Sequence, residues 1–399
     1  MDIKIDIDVS LSFDRSKMRG RVAGGVGGIS RPGGQTSRWG CFLPKLPLRT
    51  THHTDILLLG AGLTGLTAAY YLRDSGLSVT LVEARDRIGG RIHTLYVERG
   101  AGLEMGATWL GRKHTALVEL LEELNIEFYP QATDGRAIYE AEPGQPAQLV
   151  TLPPNPAPSH RIRGGSTALV RALAAQLPED KLYLNQAVTR IEQSEDGLLA
   201  RTADRVFRAQ TIVSTLPPYL LTRSIALPDL PTELLAAARQ THTWMADSIK
   251  VGLVYEEPFW DQESSSGTLY SNLGPITELY DHSDAARGCY ALKGFIDGRL
   301  HALPKAERRR LVLQHLVRCH GPIALNCLHY AEAVWRHAAE SFTPYTMPLR
   351  PHQNNGHPIF RQPFLDGRLL IAGSETADGF PGYMDGAVRS ARWVAEQLK

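Results

Sequence analysis

Residues 56–59, Ile-Leu-Leu-Leu, form a short unbroken apolar run of the kind a parallel strand buried on both faces requires. Order is expected to begin there, at Asp55. Ala68, Ala69 and Leu72 then fall at helical spacing within residues 66–75, Gly76 supplies a stop, and Ser78-Val79-Thr80-Leu81-Val82 is a second β-rich run. Together these predict a βαβ unit. Residues 115–125 predict an amphipathic helix, with Leu117, Leu120, Leu121 and Leu124 on one stripe and Glu119, Glu122 and Glu123 elsewhere. Proline-rich residues 143–158 predict a loop or a crossing between domains. Beyond them the pattern predicts a helix over 164–177, paired short strands over 183–192 and 198–206, and a strand over 210–216 stopped by Pro217-Pro218. Further helices are expected over 228–239 and 305–319, a strand over 368–372, a turn over 373–382 and an amphipathic helix over 384–398. No internal repeat is evident.

Composition narrows the class. At 399 residues the chain exceeds what one hydrophobic core readily fills, so two domains are expected. A net charge of +1 gives no field that would draw nucleic acid or an anionic membrane. Cys41, Cys289, Cys319 and Cys327 form no CxxC pair, which fits a reducing, cytoplasmic compartment. Cys319, Cys327 and His329 lack a fourth ligand at zinc-like spacing and are expected to be structural, so no metal is expected. The run Arg308-Arg309-Arg310 is expected on a solvated helix face. No apolar stretch is long enough for a spanning helix. Residues 1–54, with Gly24, Gly25, Gly27, Gly28, Gly33 and Gly34, have no apolar region for a secretory signal and are expected to be disordered. Asp2, Asp6, Asp8 and Asp14 argue against a transit peptide.

The chemistry begins with Gly60-Ala61-Gly62-Leu63-Thr64-Gly65, which follows a strand and opens a helix. Gly60 permits the tight turn, Gly62 lets backbone approach a pyrophosphate, and Gly65 lets the helix pack on the strand. The helix N-terminus offers unpaired N–H groups to the anion. Glu83 ends the second strand at the distance where an acid accepts from a ribose hydroxyl, which disfavours a 2′-phosphate. The turn alone leaves NAD and FAD open. The next segment, Glu83-Ala84-Arg85-Asp86-Arg87-Ile88-Gly89-Gly90-Arg91, places two glycines and an arginine where a second phosphate contact fits.

This string resembles the segment after the first dinucleotide turn in the flavin-containing monoamine and polyamine oxidase family. The resemblance continues through Gly102-Leu103-Glu104-Met105-Gly106-Ala107-Thr108-Trp109-Leu110-Gly111, similar to the family segment that passes beside the flavin ring. It ends in Gly373-Ser374-Glu375-Thr376 and Gly382-Tyr383-Met384-Asp385-Gly386-Ala387, similar to the closing motif whose acid contacts the cofactor and whose helix points at the flavin's pyrimidine end. The implied cofactor is FAD, with Val188 added to these contacts. An α/β fold is implied: an FAD-binding, doubly wound Rossmann-type domain over 55–128, 161–226 and 360–399, with a discontinuous, smaller α+β substrate domain over 129–160 and 227–359.

Lys250 interrupts an otherwise apolar strand, where a charge is rare without a partner. Either it lies on the strand's exposed face, with Ile249, Val251 and Leu253 opposite, or it is functional. The resemblance implies the second, a lysine that holds a water against the flavin. It also implies that Trp335 begins a passage over the flavin, and that Tyr345 and Tyr383 face each other as an aromatic cage before it. Where the mitochondrial members carry a flavin-bonding cysteine, this chain has Pro344, so non-covalent FAD is expected. The segment between Trp109 and Gly164 is short, and Leu398-Lys399 ends without a hydrophobic tail, so no membrane anchor is expected. The expected activity is oxidation of a primary or secondary amine with O2 as acceptor, with assembly as a homodimer left open. An α-amino-acid oxidase, using Arg112 or Arg136 for the carboxylate, a desaturase or porphyrinogen-type oxidase, and a non-catalytic FAD scaffold are the alternatives.

Overall fold

The computed structural model describes residues 50–97, 102–133, 135–243, 245–284, 288–342, 344–345, 350 and 352–399. The first strand, Thr50–Leu59, begins before Asp55. Thr50, Thr51, His52, His53 and Thr54 pair in register with Arg205, Val206, Phe207, Arg208 and Ala209, so the disorder expected through residue 54 fails for these five. Their side chains are mostly at the surface and carry no apolar signal, while their backbone groups are paired in the ladder. The rest of that segment lies outside the described residues.

Helix Leu63–Leu72 leads from the first strand to Val79–Val82, which returns parallel to it. The sheet order is Leu182–Tyr183, Val79–Val82, Thr50–Leu59, Arg205–Ser214, Gly197–Arg201, Arg190–Ser194. Leu369–Ile371 runs parallel to Ile212, Val213 and Ser214. Two strand expectations need correction. The run 183–192 splits: Tyr183 stays beside Val82, whereas Arg190–Ser194 turns back to pair antiparallel with Gly197–Arg201. The runs around 206 and 210–216 merge into one strand, Arg205–Ser214, which pairs parallel with Thr50–Leu59 along its length and, on its other edge, antiparallel with Gly197–Arg201 in its first half and parallel with Leu369–Ile371 in its second. Apolar layers cover both faces of this sheet. Leu66, Leu117, Leu120, Val170 and Val388 pack on one face, and Leu57, Leu59, Phe207, Ile212 and Phe360 on the other, which is the doubly wound arrangement.

A second sheet has the order His329–Val334, Ile249–Tyr255, Tyr290–Ile296, Ile276–Asp281, Ser265–Ser271, Arg136–Glu140, Gln148–Thr151. The last of these lies inside the proline-rich stretch expected to be a loop; it is a mostly exposed edge strand of four residues, hidden by the prolines that flank it. Helix Lys305–His320 packs Val312 and Leu316 against Ile249, Val251 and Leu253 of this sheet. The same stripe contains Arg308, which is 5% exposed. Only Arg309 and Arg310 meet the expectation of a solvated arginine face. Arg308 can be buried because Glu332, on a neighbouring strand, takes its Nη2 at 2.5 Å and the Leu300 and His301 carbonyls take its Nη1. Among the described residues no helix is long and apolar enough to cross a membrane.

Candidate active site

The glycine turn is built by close contacts that only hydrogen atoms permit. Gly60 has φ +104°, and a Cβ on Gly65 would stand 2.0 Å from the Gly60 carbonyl oxygen, so the helix lies directly on the turn. A Cβ on Gly62, in contrast, would meet nothing within 4 Å. Gly62 caps the helix without any side-chain hydrogen bond, leaving first-turn N–H groups for an anion. Glu83, 5% exposed, braces the turn: Oε2 accepts the Ala61 N–H at 2.8 Å and Oε1 accepts the Arg85 N–H at 2.9 Å. Gly89 donates to the Ala61 carbonyl at 2.8 Å, and Gly90 (φ +56°) lies against Gly62.

These segments line a cavity of about 490 Å³. Gly60, Gly62, Leu63, Thr64, Glu83, Ala84, Arg85, Gly89, Gly90, Arg91 and Val188 form one part of its wall. Gly106, Ala107, Thr108, Trp109, Lys250, Trp335, Tyr383 and Met384 form another. Its size is in the range of small-molecule and cofactor sites. The site therefore fits a dinucleotide on three counts: the open space above Gly62, the uncapped helix start, and an elongated wall contributed by both sheets. Ala61, Gly65, Gly373 and Glu375 stand behind the wall. Arg91 forks onto Glu375, with Nη1 to Oε1 at 2.5 Å and Nη2 to Oε2 at 2.9 Å, and also reaches Ser374 Oγ at 3.0 Å. Burial pushes the Glu375 carboxyl upward, but the Arg91 charge and its hydrogen bonds outweigh this and hold it below the ordinary carboxylate range. Gly373 (φ +134°) is fixed by the Ser390 hydroxyl, which accepts its N–H at 3.0 Å.

At the other end, every residue of strand Ile249–Tyr255 is buried, so Lys250 has no exposed face to occupy. Its Nζ donates to the Gly106 carbonyl and lies 5.1 Å from the Phe295 ring. Burial drives its pKa down from the ordinary lysine value to about 8, with Glu104 opposing the fall. The Trp335 indole donates to the Met105 carbonyl at 2.7 Å, so Lys250 and Trp335 grip consecutive residues of one segment. Tyr383 is 40% exposed, with the His352 ring stacked at 5.6 Å and the His114 ring at 5.7 Å. Tyr345 accepts the Thr243 N–H at 2.9 Å and packs against Tyr219, His242 and Phe342 at 4.7, 4.3 and 5.5 Å.

Sequence reasoning missed several members of this neighbourhood. Phe295, Met245 and Ser248 line the reacting end, and Gln186, Thr215 and Leu216 the other. Lys293, fully buried with its Nζ 3.6 Å from the Trp109 ring, was also missed. The available signal was the one that singled out Lys250, a lysine flanked on its own strand face by apolar Ala291 and Phe295. Away from the cavity, Glu140, His315 and Cys319 bring ligand-type atoms within 4.8 Å of one another. The Ile276 N–H points at His315 Nδ1, at 3.3 Å, so the ring carries its proton on Nε2 and donates it to Glu140. Arg318 and the Ser271 hydroxyl also donate to the Glu140 carboxylate, and burial pushes the Cys319 thiol up to about 12. Cys327 is separately engaged, its Sγ 3.1 Å from the His329 carbonyl oxygen.

Comparison with known proteins gives a consistent answer. The family model of flavin containing amine oxidoreductases matches residues 63–158 and 142–399. A probable flavin-containing monoamine oxidase A of Dictyostelium discoideum is 26% identical over 451 residues, covering 86% of this chain and 97% of that protein. A putrescine oxidase of Kocuria rosea is 27% identical, covering 88% of this chain and 96% of that protein. Among solved structures, cyclohexylamine oxidase from Brevibacterium oxydans superposes with a TM-score of 0.75 at 24% identity, covering 86% of this chain and 99% of that one.

Proposed function

Because this chain belongs to the family of flavin containing amine oxidoreductases, we propose that it oxidises a primary or secondary amine, with FAD held non-covalently and O2 as the final acceptor. The observation that carries the reading is Lys250, an amine buried at the cavity wall between the segment 105–106 and the Phe295 ring. When bound, FAD supplies the two-electron acceptance that takes an amine to an imine, which hydrolyses to an aldehyde, and its reoxidation by O2 releases H2O2.

Gly60, Gly62 and the uncapped helix start would receive the pyrophosphate, and Glu83 the ribose hydroxyls. Lys250 spends one N–H on the Gly106 carbonyl; as a free amine it keeps a second N–H and a lone pair to hold a water beside the reacting carbon. Tyr383, on the cavity wall, would align the substrate amine by its ring face, a contribution of about 0.5–2 kcal/mol, whereas Tyr345, expected to face it, is not among the wall residues and packs with Tyr219, His242 and Phe342. The α-amino-acid alternative needs an unengaged arginine for the carboxylate. The cavity-wall arginines Arg85 and Arg91 are held by Glu340 and Glu375, and Arg112 lies over the Phe128 ring. Pro344 at the place of the flavin-bonding cysteine supports non-covalent binding, and the free thiols of Cys289, Cys319 and Cys327 support a reducing, cytoplasmic setting.

The test is anaerobic bleaching of the bound flavin by a panel of small amines, benzylamine, tyramine and putrescine among them, with phenylalanine for comparison. Bleaching by amines, followed by peroxide release in air and strongly slowed in Lys250→Met, is the expected result. A yellow protein that no amine bleaches would overturn the proposal.

A further inference from the structure

Residues 335–341 run along one side of the cavity, and Trp335, Ala339, Glu340 and Ser341 all stand in its wall. At the reacting end the Trp335 indole ties the segment to the Met105 carbonyl at 2.7 Å. The segment is compact rather than extended. The Ala338 N–H donates to the Trp335 carbonyl at 3.0 Å, and the Ser341 and Phe342 N–H groups donate to the Ala338 carbonyl at 2.9 and 2.8 Å. Its own hydrogen bonds thus fix its shape, and its place against the cavity is set by the ties at its ends.

At the nucleotide end the tie is Arg85. One terminal nitrogen, Nη2, donates to Ser341 Oγ at 2.9 Å, across 256 positions of sequence, and stands 3.5 Å from Glu340 Oε2. The arginine is itself anchored on the glycine turn. Glu83 accepts the Arg85 N–H at 2.9 Å with one oxygen and the Ala61 N–H at 2.8 Å with the other, and Arg85 Nη1 lies 4.0 Å from Glu83 Oε1. One chain of contacts therefore joins the turn that would receive the pyrophosphate to the segment 335–341. It ends in a half-exposed pair: the Arg85 side chain is 11% exposed and that of Glu340 42%. A charge-assisted bond to a hydroxyl and a partly solvated ion pair are strong enough to hold a segment and weak enough to open.

The sign of the charges says what these residues are for. A carboxylate on the wall of a cavity suited to a pyrophosphate repels that group, so Glu340 is no ligand for it; what Glu340 holds is Arg85. Arg85 in turn has its terminal nitrogens beside Glu83, Glu340 and Ser341.

We propose that Glu340 and Ser341 are cofactor-retaining residues: latched on Arg85, they hold the segment 335–341 against the cavity and slow the release of FAD. The proposal rests on the reading that FAD occupies this cavity without a covalent bond. Opening the latch exchanges one hydrogen bond and one ion pair for contacts with water, and makes or breaks no covalent bond.

The experiment dilutes FAD-loaded enzyme at neutral pH and follows the fluorescence of the released FAD, so that turnover does not enter. Glu340→Gln is expected to speed release about threefold, and Ser341→Ala together with Glu340→Gln, which removes both contacts, about tenfold or more. The Glu340 side chain is at the surface, so the single variant carries the test if the double one does not fold. Arg336→Met is the control: it breaks a comparable pair with Asp247, 3.2 Å away and 41% and 45% exposed, on the same segment, and is expected to leave the release rate as in wild type. An unchanged rate in the Glu340 and Ser341 variants overturns the latch. Slower release, as when Arg85 is freed to bind the phosphates, and an equal acceleration in Arg336→Met overturn it too. A chain that takes up no FAD overturns both the latch and the reading beneath it, whereas the three preceding results leave that reading intact.

Discussion

Arg91 reaches across 284 positions of sequence to place both of its terminal nitrogens on the two oxygens of Glu375. The acid is fully buried and the arginine 28% exposed, so the pair welds the segment after the second strand to the closing motif while leaving the guanidinium at the cavity wall. Glu375→Gln leaves that guanidinium unpaired, and is expected to cost about 3 kcal/mol, at the lower end for a broken buried pair because Arg91 is partly exposed. The depressed carboxyl sets the pH window. Its stabilisation is fully present above the unfolded carboxylate pKa of about 4.3 and fades as pH falls through the lower folded value. Melting curves at pH 7 and pH 4 should thus differ more for wild type than for Glu375→Gln; equal acid sensitivity in both would remove Glu375 from the account.

Two glycines of one turn separate folding from cofactor binding. Gly65→Ala puts a methyl 2.0 Å from a backbone oxygen and is expected to lower stability by about 1–3 kcal/mol even without FAD. Gly62→Ala meets no protein atom within 4 Å, so the FAD-free protein should melt as wild type does. If the space above Gly62 is the pyrophosphate's, its FAD dissociation constant rises about tenfold or more, equivalent to about 1.4 kcal/mol. Fluorescence titration with FAD reads this directly, and an unchanged affinity would move the pyrophosphate elsewhere.

What the sequence made legible was local. The strand, glycine turn and helix of residues 55–72 announce themselves because turn chemistry and periodicity act over a few residues. Thr50 to Thr54 stayed hidden because an exposed strand extension needs no apolar residues. Arg308 was misplaced because a run of three arginines straddles two faces of a helix, and which face is buried depends on Glu332, 24 residues away. The Arg91 partner and the packing of Lys293 over Trp109 depend on contacts between distant segments, which periodicity does not encode.

The Arg308–Glu332 pair gives a stability prediction free of the active site. Both side chains are nearly inaccessible, 6% and 4% exposed. Glu332→Gln is expected to destabilise by about 3–5 kcal/mol, because it strands a buried guanidinium. Arg308→Met with Glu332→Leu together should recover most of that loss, since two apolar side chains leave no uncompensated charge. Urea unfolding of the single and double variants checks this, and a double variant no better than the single would argue that the network has a further role.

Pro344 leads to a chemical prediction. Pro344, whose carbonyl accepts the Tyr219 hydroxyl at 3.2 Å, offers no thiol to bond a flavin at the position where the resemblance implies one. Acid precipitation of the loaded enzyme is expected to leave a colourless pellet and a yellow supernatant. Flavin retained in the pellet after washing in denaturant would mean a covalent bond through some other residue.

Lys250 supplies the pH dependence of the chemical step. Its pKa is lowered to about 8, so it is largely an ammonium at neutral pH and a free amine above that value. The limiting rate of flavin bleaching by saturating benzylamine, measured by stopped flow so that product release and O2 do not enter, should rise tenfold per unit on the acid side and level off above about pH 8. Lys250→Met should be slower by about 100-fold, the scale of a lost proton-handling group, and should lack that limb. A variant as fast as wild type, or one that keeps the same limb, would show that the titrating group is the substrate's own amine and that Lys250 serves only to hold the Gly106 carbonyl.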